Sequence, residues 1–311
     1  MVRKRNPIRG VIAALLLPRD EAGQPLWDAF DRSARFLVDA GVSGLGVNGA
    51  TGEYSGSTRE ERREAVVRSR RIAGEELAVL SGAGAARWTE TAQFARDAEL
   101  AGADAALVPP PHFFKYEPED LAEFYRRIAA DTTLPVLIYN LPTFTNPLPP
   151  ELAAELIRNV DGIAGVKDSS GDLELLSLLT APAPNGAVRL VGNDAALAES
   201  LEKGLCDGVV SGVAGVLPEL TLALWRSAAD RAWGRFRGLV ELQTELLWRL
   251  EAFPTPWGLE FVAEARGFAP ANPALPLSEE RVGQVESFRV WFREWWAAGE
   301  PELGRSGPVR D

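Results

Sequence analysis

Ile163-Ala164-Gly165-Val166-Lys167-Asp168-Ser169-Ser170-Gly171-Asp172 reads as an apolar strand that ends on a lysine with small residues on both sides. Side chains of a strand alternate between its two faces, which puts Ile163, Gly165 and Lys167 on one face and Ala164 and Val166 on the other. On that reading Gly165 leaves room beside the lysine stem. An arbitrary lysine at a strand end belongs at the rim, paired with a carboxylate. A lysine held in an enclosure is instead a nucleophile toward a carbonyl carbon, because a water-poor site favours the free amine.

Working outward, apolar segments of strand length recur at 11–17, 44–47, 77–80, 105–108, 135–139, 163–167, 188–191 and 208–211. Stretches of helical period separate them. Leu26, Phe30, Ala34, Leu37 and Val38 form one stripe, and Thr58-x-x-Glu61 spells a capping box that opens the next helix. Gly41, Gly102 and Gly204 each stand where a helix should stop just ahead of a strand. Gly41 and Gly102 are 61 residues apart and span two units, giving roughly 30 residues per βα unit. The strands are apolar throughout, the mark of a parallel sheet covered on both faces. The expected fold is a (β/α)8 TIM barrel with a C-terminal helical extension, and an open doubly wound sheet is the competing architecture. The expected division is a barrel over 1–220, a helical region over 221–298 packed on it, and a disordered tail over 299–311. Seven of the nine tryptophans lie between Trp225 and Trp296, so these helices must bury something, either as a layer on the barrel or as a subunit interface.

Composition narrows the function. The chain has 311 residues, 46% of them hydrophobic, and no apolar run long enough to span a bilayer. Arg3, Lys4, Arg5 and Arg9 ahead of Val11-Ile12-Ala13-Ala14-Leu15-Leu16-Leu17 superficially resemble a signal peptide, but Pro18-Arg19-Asp20 follows in place of a small-x-small cleavage site. A buried first strand and a cytoplasmic location are expected. With Cys206 and His112 each the sole residue of its type, neither a disulfide framework nor a His/Cys zinc site can form within the chain. The net charge of −11 disfavours nucleic acid and anionic membrane surfaces.

In an α/β barrel the reactive groups come from the carboxyl ends of the strands and the loops that follow. Lys167 sits at such an end, and so does Tyr139 in Pro135-Val136-Leu137-Ile138-Tyr139-Asn140-Leu141-Pro142, which brings a phenol beside the amine. Gly49-Ala50-Thr51-Gly52-Glu53 follows the second strand. Its glycines would let backbone N–H groups of Ala50 and Thr51 converge on a carboxylate, with the Thr51 hydroxyl as a further donor. Gly44-Leu45-Gly46-Val47-Asn48-Gly49 also spells GxGxxG, but it runs through a strand and opens no helix, so a nicotinamide cofactor is not expected. A carboxylate nest, an amine and a phenol describe Schiff-base chemistry on a 2-oxo acid, which requires neither metal nor organic cofactor.

These residues resemble the dihydrodipicolinate synthase and N-acetylneuraminate lyase family of class I aldolases, from about Val11 to Pro218. Gly49-Ala50-Thr51-Gly52-Glu53 is similar to its pyruvate-carboxylate loop, Tyr139-Asn140-Leu141-Pro142 to its catalytic tyrosine segment, and Gly165-Val166-Lys167-Asp168 to its Schiff-base lysine strand. Gly192-Asn193-Asp194 and Gly208-Val209-Val210-Ser211 resemble its seventh and eighth strand ends, which implies backbone contacts to pyruvate from Val210. The resemblance implies a homotetramer or homodimer. Three departures stand out. Ala50 and Phe113 occupy the places of a relay threonine and of a tyrosine lent by the neighbouring subunit, and Phe144 that of an arginine for a second carboxylate. The expected activity is a Schiff-base lyase acting on pyruvate or a longer 2-oxo acid, such as a 2-keto-3-deoxy sugar acid with an uncharged far end, and an aldehyde partner. Lys167 and Tyr139 are its candidate catalytic residues, and Ala50, Thr51, Val210, Gly192, Phe113, Phe144 and His112 line its substrate site. Dihydrodipicolinate synthase proper, a sugar-acid dehydratase and a 2-oxo acid binding protein without turnover are the alternatives.

Overall fold

In the computed structural model, which describes residues 6–179 and 186–303, eight parallel strands close into one barrel in chain order. They are β1 (Gly10–Ala14), β2 (Gly44–Val47), β3 (Ala78–Gly82), β4 (Ala105–Val108), β5 (Val136–Asn140), β6 (Ile163–Asp168), β7 (Val188–Val191) and β8 (Gly208–Ser211). Closure comes from pairing of β1 with β8, Gly10 opposite Gly208, and leaves no open sheet edge. The helices between strands are α1 (Trp27–Ala40), α2 (Arg59–Ala73), α3 (Trp88–Ala101), α4 (Pro118–Ala130), α5 (Pro150–Asn159), α6 (Glu174–Leu178) and α7 (Leu197–Lys203), and α8 (Pro218–Ala229) completes the ring. The architecture is the (β/α)8 TIM barrel, not the open doubly wound sheet.

Local chemistry sets the helix ends. Gly41, Gly102 and Gly204 cap α1, α3 and α7 in the left-handed conformation. Thr58 and Glu61 satisfy each other's backbone N–H groups at the start of α2. Two apolar layers follow from the strands. Ile12, Leu80, Leu107, Leu137, Leu190 and Val210 fill the barrel interior. Outward residues such as Val11, Leu45, Val79 and Val166 pack under the helices. Strand β1 ends at Ala14, short of the expected Leu17, because the turn after β8 crosses there. A Cβ on Gly215 would lie 2.1 Å from the Ala14 carbonyl oxygen.

The lysine strand departs from simple alternation. Val136 of β5 pairs with Ile163, but Leu137 pairs with Gly165, so β6 carries an extra residue as a bulge. Ile163 therefore packs in the outer layer and Ala164 against the inner one, opposite to the expected parity at those two positions. Gly165 adopts φ 151°, and a Cβ there would lie 2.1 Å from the Val188 carbonyl oxygen of β7. Its role is close strand approach at the bulge, not space beside the lysine.

The C-terminal helices α9 (Trp233–Leu250), α10 (Trp257–Ala265) and α11 (Glu279–Leu303) form a third apolar cluster with α8, around Leu220, Phe236, Leu246, Phe261, Phe288 and Phe292. Trp257 and Trp295 are buried in it, whereas Trp233 and Trp248 remain exposed. Helix α8 crosses the boundary expected at residue 220, and α11 runs on to Leu303. Residues 304–311, within the expected tail, lie outside the described residues. Among the described residues no helix is long and apolar enough to cross a membrane.

Candidate active site

Lys167 points into the barrel mouth and is 4% exposed. Its register partner on β5 is Tyr139, and Nζ lies 3.9 Å from the centroid of the Tyr139 ring. The glycine that makes room for the lysine is Gly192, directly after β7. A Cβ there would meet the Ser169 hydroxyl first, at 2.1 Å, and then Lys167 Cε at 2.7 Å and Cγ at 3.0 Å. The strand end is pinned by Asp168, which accepts from Asn140 Nδ2 at 3.0 Å and from the Ser170 amide at 2.9 Å. Burial pushes the Asp168 carboxyl upward.

The loop after β2 has the form of a nest. The amides of Gly52 and Tyr54 donate to the Gly49 carbonyl and that of Glu53 to the Ala50 carbonyl, which closes the turn on itself. The amides of Ala50 and Thr51 make no hydrogen bond among the described residues and stay available to an anion. Asn48 anchors the start of the loop through Nδ2 to the Arg62 carbonyl and Ser81 Oγ, both at 3.0 Å. From below, the buried Arg62 guanidinium donates to the Tyr54 carbonyl at 2.6 Å and to that of Gly84 at 2.8 Å.

Lys167, Tyr139, Ala50, Thr51, Gly192, Val210 and Phe144 all line one cavity of about 310 Å³. Ala50 and Phe144 also line an adjoining cavity of about 290 Å³, together with His112. Phe113 is the exception. It is 89% exposed, adopts φ 76°, and lines neither cavity of its own chain.

Sequence reasoning gave no role to two further contributors. Asp194 faces the cavity and accepts from the Ser211 hydroxyl and from the amides of Gly212 and Val213 at 3.1 and 3.2 Å. Burial raises its pKa, and the positive charge of Lys167 opposes that shift. The short hydroxyl residue closing β8 and the Asn-Asp pair after β7 carried the only signal for it. The end of α9, the start of α10 and the segment joining them supply a wall through Leu250, Glu251, Phe253, Thr255, Gly258 and Leu259. Nothing local in the sequence brings that segment to the barrel mouth. Among the described residues Lys167 is the sole cation lining the cavity, against the acids Asp194 and Glu251.

The Dihydrodipicolinate synthetase family model matches residues 7–288, nearly the whole chain. The chain belongs to this family. An uncharacterized DapA-like lyase of Halobacterium salinarum is 35% identical over 245 residues, covering 78% of this chain and 80% of that one. A 4-hydroxy-tetrahydrodipicolinate synthase of Methanopyrus kandleri is 31% identical over 91% of this chain and 94% of its own. Among solved structures, the dihydrodipicolinate synthase of Thermotoga maritima superposes with a TM-score of 0.84 at 27% identity, over 92% of this chain and 98% of that one. The protein is accordingly a lyase of the dihydrodipicolinate synthase family, of the class I aldolase type.

Proposed function

We propose that the protein makes or breaks the C3–C4 bond of a 2-oxo acid, one carbon removed from its C2 ketone, through an imine that Lys167 forms with pyruvate or a longer 2-oxo acid. The observation that carries this reading is the buried Lys167 amine against the Tyr139 ring, the only basic side chain among the described residues that line a cavity whose rim holds the Ala50 and Thr51 nest. The amine adds to the C2 carbonyl, and loss of water leaves the protonated imine. That imine draws electrons from the bond between C3 and C4, which breaks to an aldehyde and an enamine. Tyr139 moves the protons these steps require, Thr51 and the amides of Ala50 and Thr51 hold the carboxylate, and the backbone beside Val210 closes the site around it. Protonation of the enamine at C3 restores the imine, and its hydrolysis by water releases pyruvate and frees the amine.

The second substrate is an aldehyde with an uncharged far end. Beyond Lys167 the cavity offers hydroxyl and amide groups from Thr143, Ser169, Asn193 and Thr255, with the Phe144 ring at the rim, but no second cation among the described residues. The second carboxylate of a dianionic product would meet no cation of its own in a cavity that also holds Asp194 and Glu251. The names of the relatives favour a second reading, the synthase reaction itself. A panel separates the two. Pyruvate release from neutral 2-keto-3-deoxy sugar acids, with little condensation onto acidic aldehydes, supports the first reading, and strong preference for an acidic aldehyde overturns it.

A homo-oligomer built on the face carrying Phe113, Phe114 and Tyr116 completes the proposal. These rings are exposed, and Phe113 and Phe114 stack edge to face at 5.0 Å beside the second cavity. Phe113 of a second copy would close that cavity. The single cysteine and the acidic charge agree with a cytoplasmic setting.

A further inference from the structure

Behind the nest, a small cavity of about 20 Å³, room for a single water, separates the loop after β2 from the C-terminal helices. Thr51 lines both this cavity and the one that holds Lys167. Glu53 enters from the nest loop and Glu260 from α10, so two carboxylates meet across it. Among the described residues Arg19 is the only cation lining it, and both its terminal nitrogens are already committed. Nη1 serves the Gly23 carbonyl at 2.7 Å and Glu61 at 3.1 Å, and Nη2 serves Ser57 Oγ at 3.1 Å and Glu61 at 3.0 Å. Glu264, also on α10, is engaged by Arg289 of α11. Neither Glu53 nor Glu260 has an ion pair among the described residues, and with both ionised the group is left with an uncompensated negative charge.

Burial is the largest cause and the charge of Glu53 the second in raising the Glu260 carboxyl to about 8, so at neutral pH it is a neutral acid. Burial also raises Glu53, and Arg19 works against that shift.

We propose that Glu260 is a positioning residue for substrate: as the neutral acid it leaves the Ala50 and Thr51 nest able to accept a carboxylate, and as a carboxylate it opposes that binding across Thr51. This inference rests on the reading above, in which the nest holds the 2-oxo acid. The added charge sits behind the donors and not at the reacting carbon, so it acts on affinity and leaves the maximal extent of imine formation unchanged.

The test is borohydride trapping of pyruvate on Lys167, following the pyruvate concentration that gives half-maximal labelling in the native protein and in Glu260→Gln. The two are compared near pH 6.5 and near pH 9, either side of the value of about 8 at which Glu260 titrates. Taking the ratio of native to variant cancels the pH dependence of the amine itself. The expected ratio is close to one at the lower pH and about fivefold at the higher, the native protein being the weaker binder. If Glu260→Gln does not fold, Glu260→Ala removes the same charge and is expected to give the same change in ratio. A ratio that does not change with pH, while Lys167 is labelled in both proteins, overturns this inference and leaves the imine reading standing. Absence of label on Lys167 in either protein at any pH overturns both.

Discussion

At the scale of single residues, the site depends on how little space surrounds one lysine stem. Gly192→Ala places a methyl group 2.1 Å from Ser169 Oγ and 2.7 Å from Lys167 Cε, so both side chains must move although the backbone is little strained. The expected outcome is a loss of kcat of about a hundredfold or more with a small change in unfolding free energy, since misplacement of about 1 Å costs that much. Steady-state kinetics beside denaturant unfolding checks it, and a fully active Gly192→Ala would contradict the packing. Tyr139→Phe keeps the ring under the ammonium and removes the hydroxyl. Its kcat is expected to fall by about 10²- to 10⁴-fold while imine trapping persists, which separates proton transfer from condensation. Loss of trapping in that variant would mean that the phenol serves the condensation as well. That Lys167, Tyr139, Thr51 and Gly192 meet around one cavity was legible because strand ends and glycine turns announce themselves locally. Asp194 was not, because its significance comes from Ser211 and the Gly212 and Val213 amides, a separate strand end that only the closed barrel brings to it.

At the scale of elements, the bulge in β6 turns the strand so that Lys167 faces inward beside Tyr139. Gly165→Ala is expected to cost about 3 kcal/mol or more, since it adds a Cβ 2.1 Å from the Val188 carbonyl at a φ of 151° that side chains rarely adopt. Unfolding in urea measures it, and a cost below about 1 kcal/mol would show that β7 yields easily. Segments β2, β4, β7 and β8 coincide with the apolar stretches read from sequence because each is short and closed on at least one side by glycine or a polar residue. The parity of Ile163 and Ala164 could not be read that way. A bulge is a property of two strands in register, and no local pattern in β6 reveals it. The Phe113 loop makes its own prediction. Phe113→Asp is expected to shift the protein toward the monomer in sedimentation velocity, because the charge would enter an apolar contact between copies. An unchanged sedimentation coefficient would remove this face from the assembly.

At the scale of the whole molecule, the barrel and the C-terminal helices act together at the site. Helix α10 supplies both the cavity wall around Leu259 and the acid behind the nest. The sequence marked these helices as burying their tryptophans, but the approach of residue 260 to residue 53 across one small cavity joins distant parts of the chain and leaves no local trace. That approach has a thermodynamic signature. Glu260 titrates near 4.5 when unfolded and near 8 when folded, so the folded protein keeps a proton that the unfolded chain has released. Its stabilising share is complete below the lower value and is lost as the pH rises through the upper one. Glu260→Gln is therefore expected to melt a few degrees above the native protein at pH 8 and at about the same temperature near pH 5. An equal difference at both pH values would show that the carboxyl is not held protonated. The account as a whole stands on one bond between Lys167 and a ketone. Incubation of the native protein with pyruvate and borohydride, followed by peptide mass mapping, is predicted to give one reduced pyruvyl adduct, on the Lys167 peptide, and none in Lys167→Arg. An unmodified Lys167 peptide under conditions in which the protein turns over 2-oxo acid would contradict it.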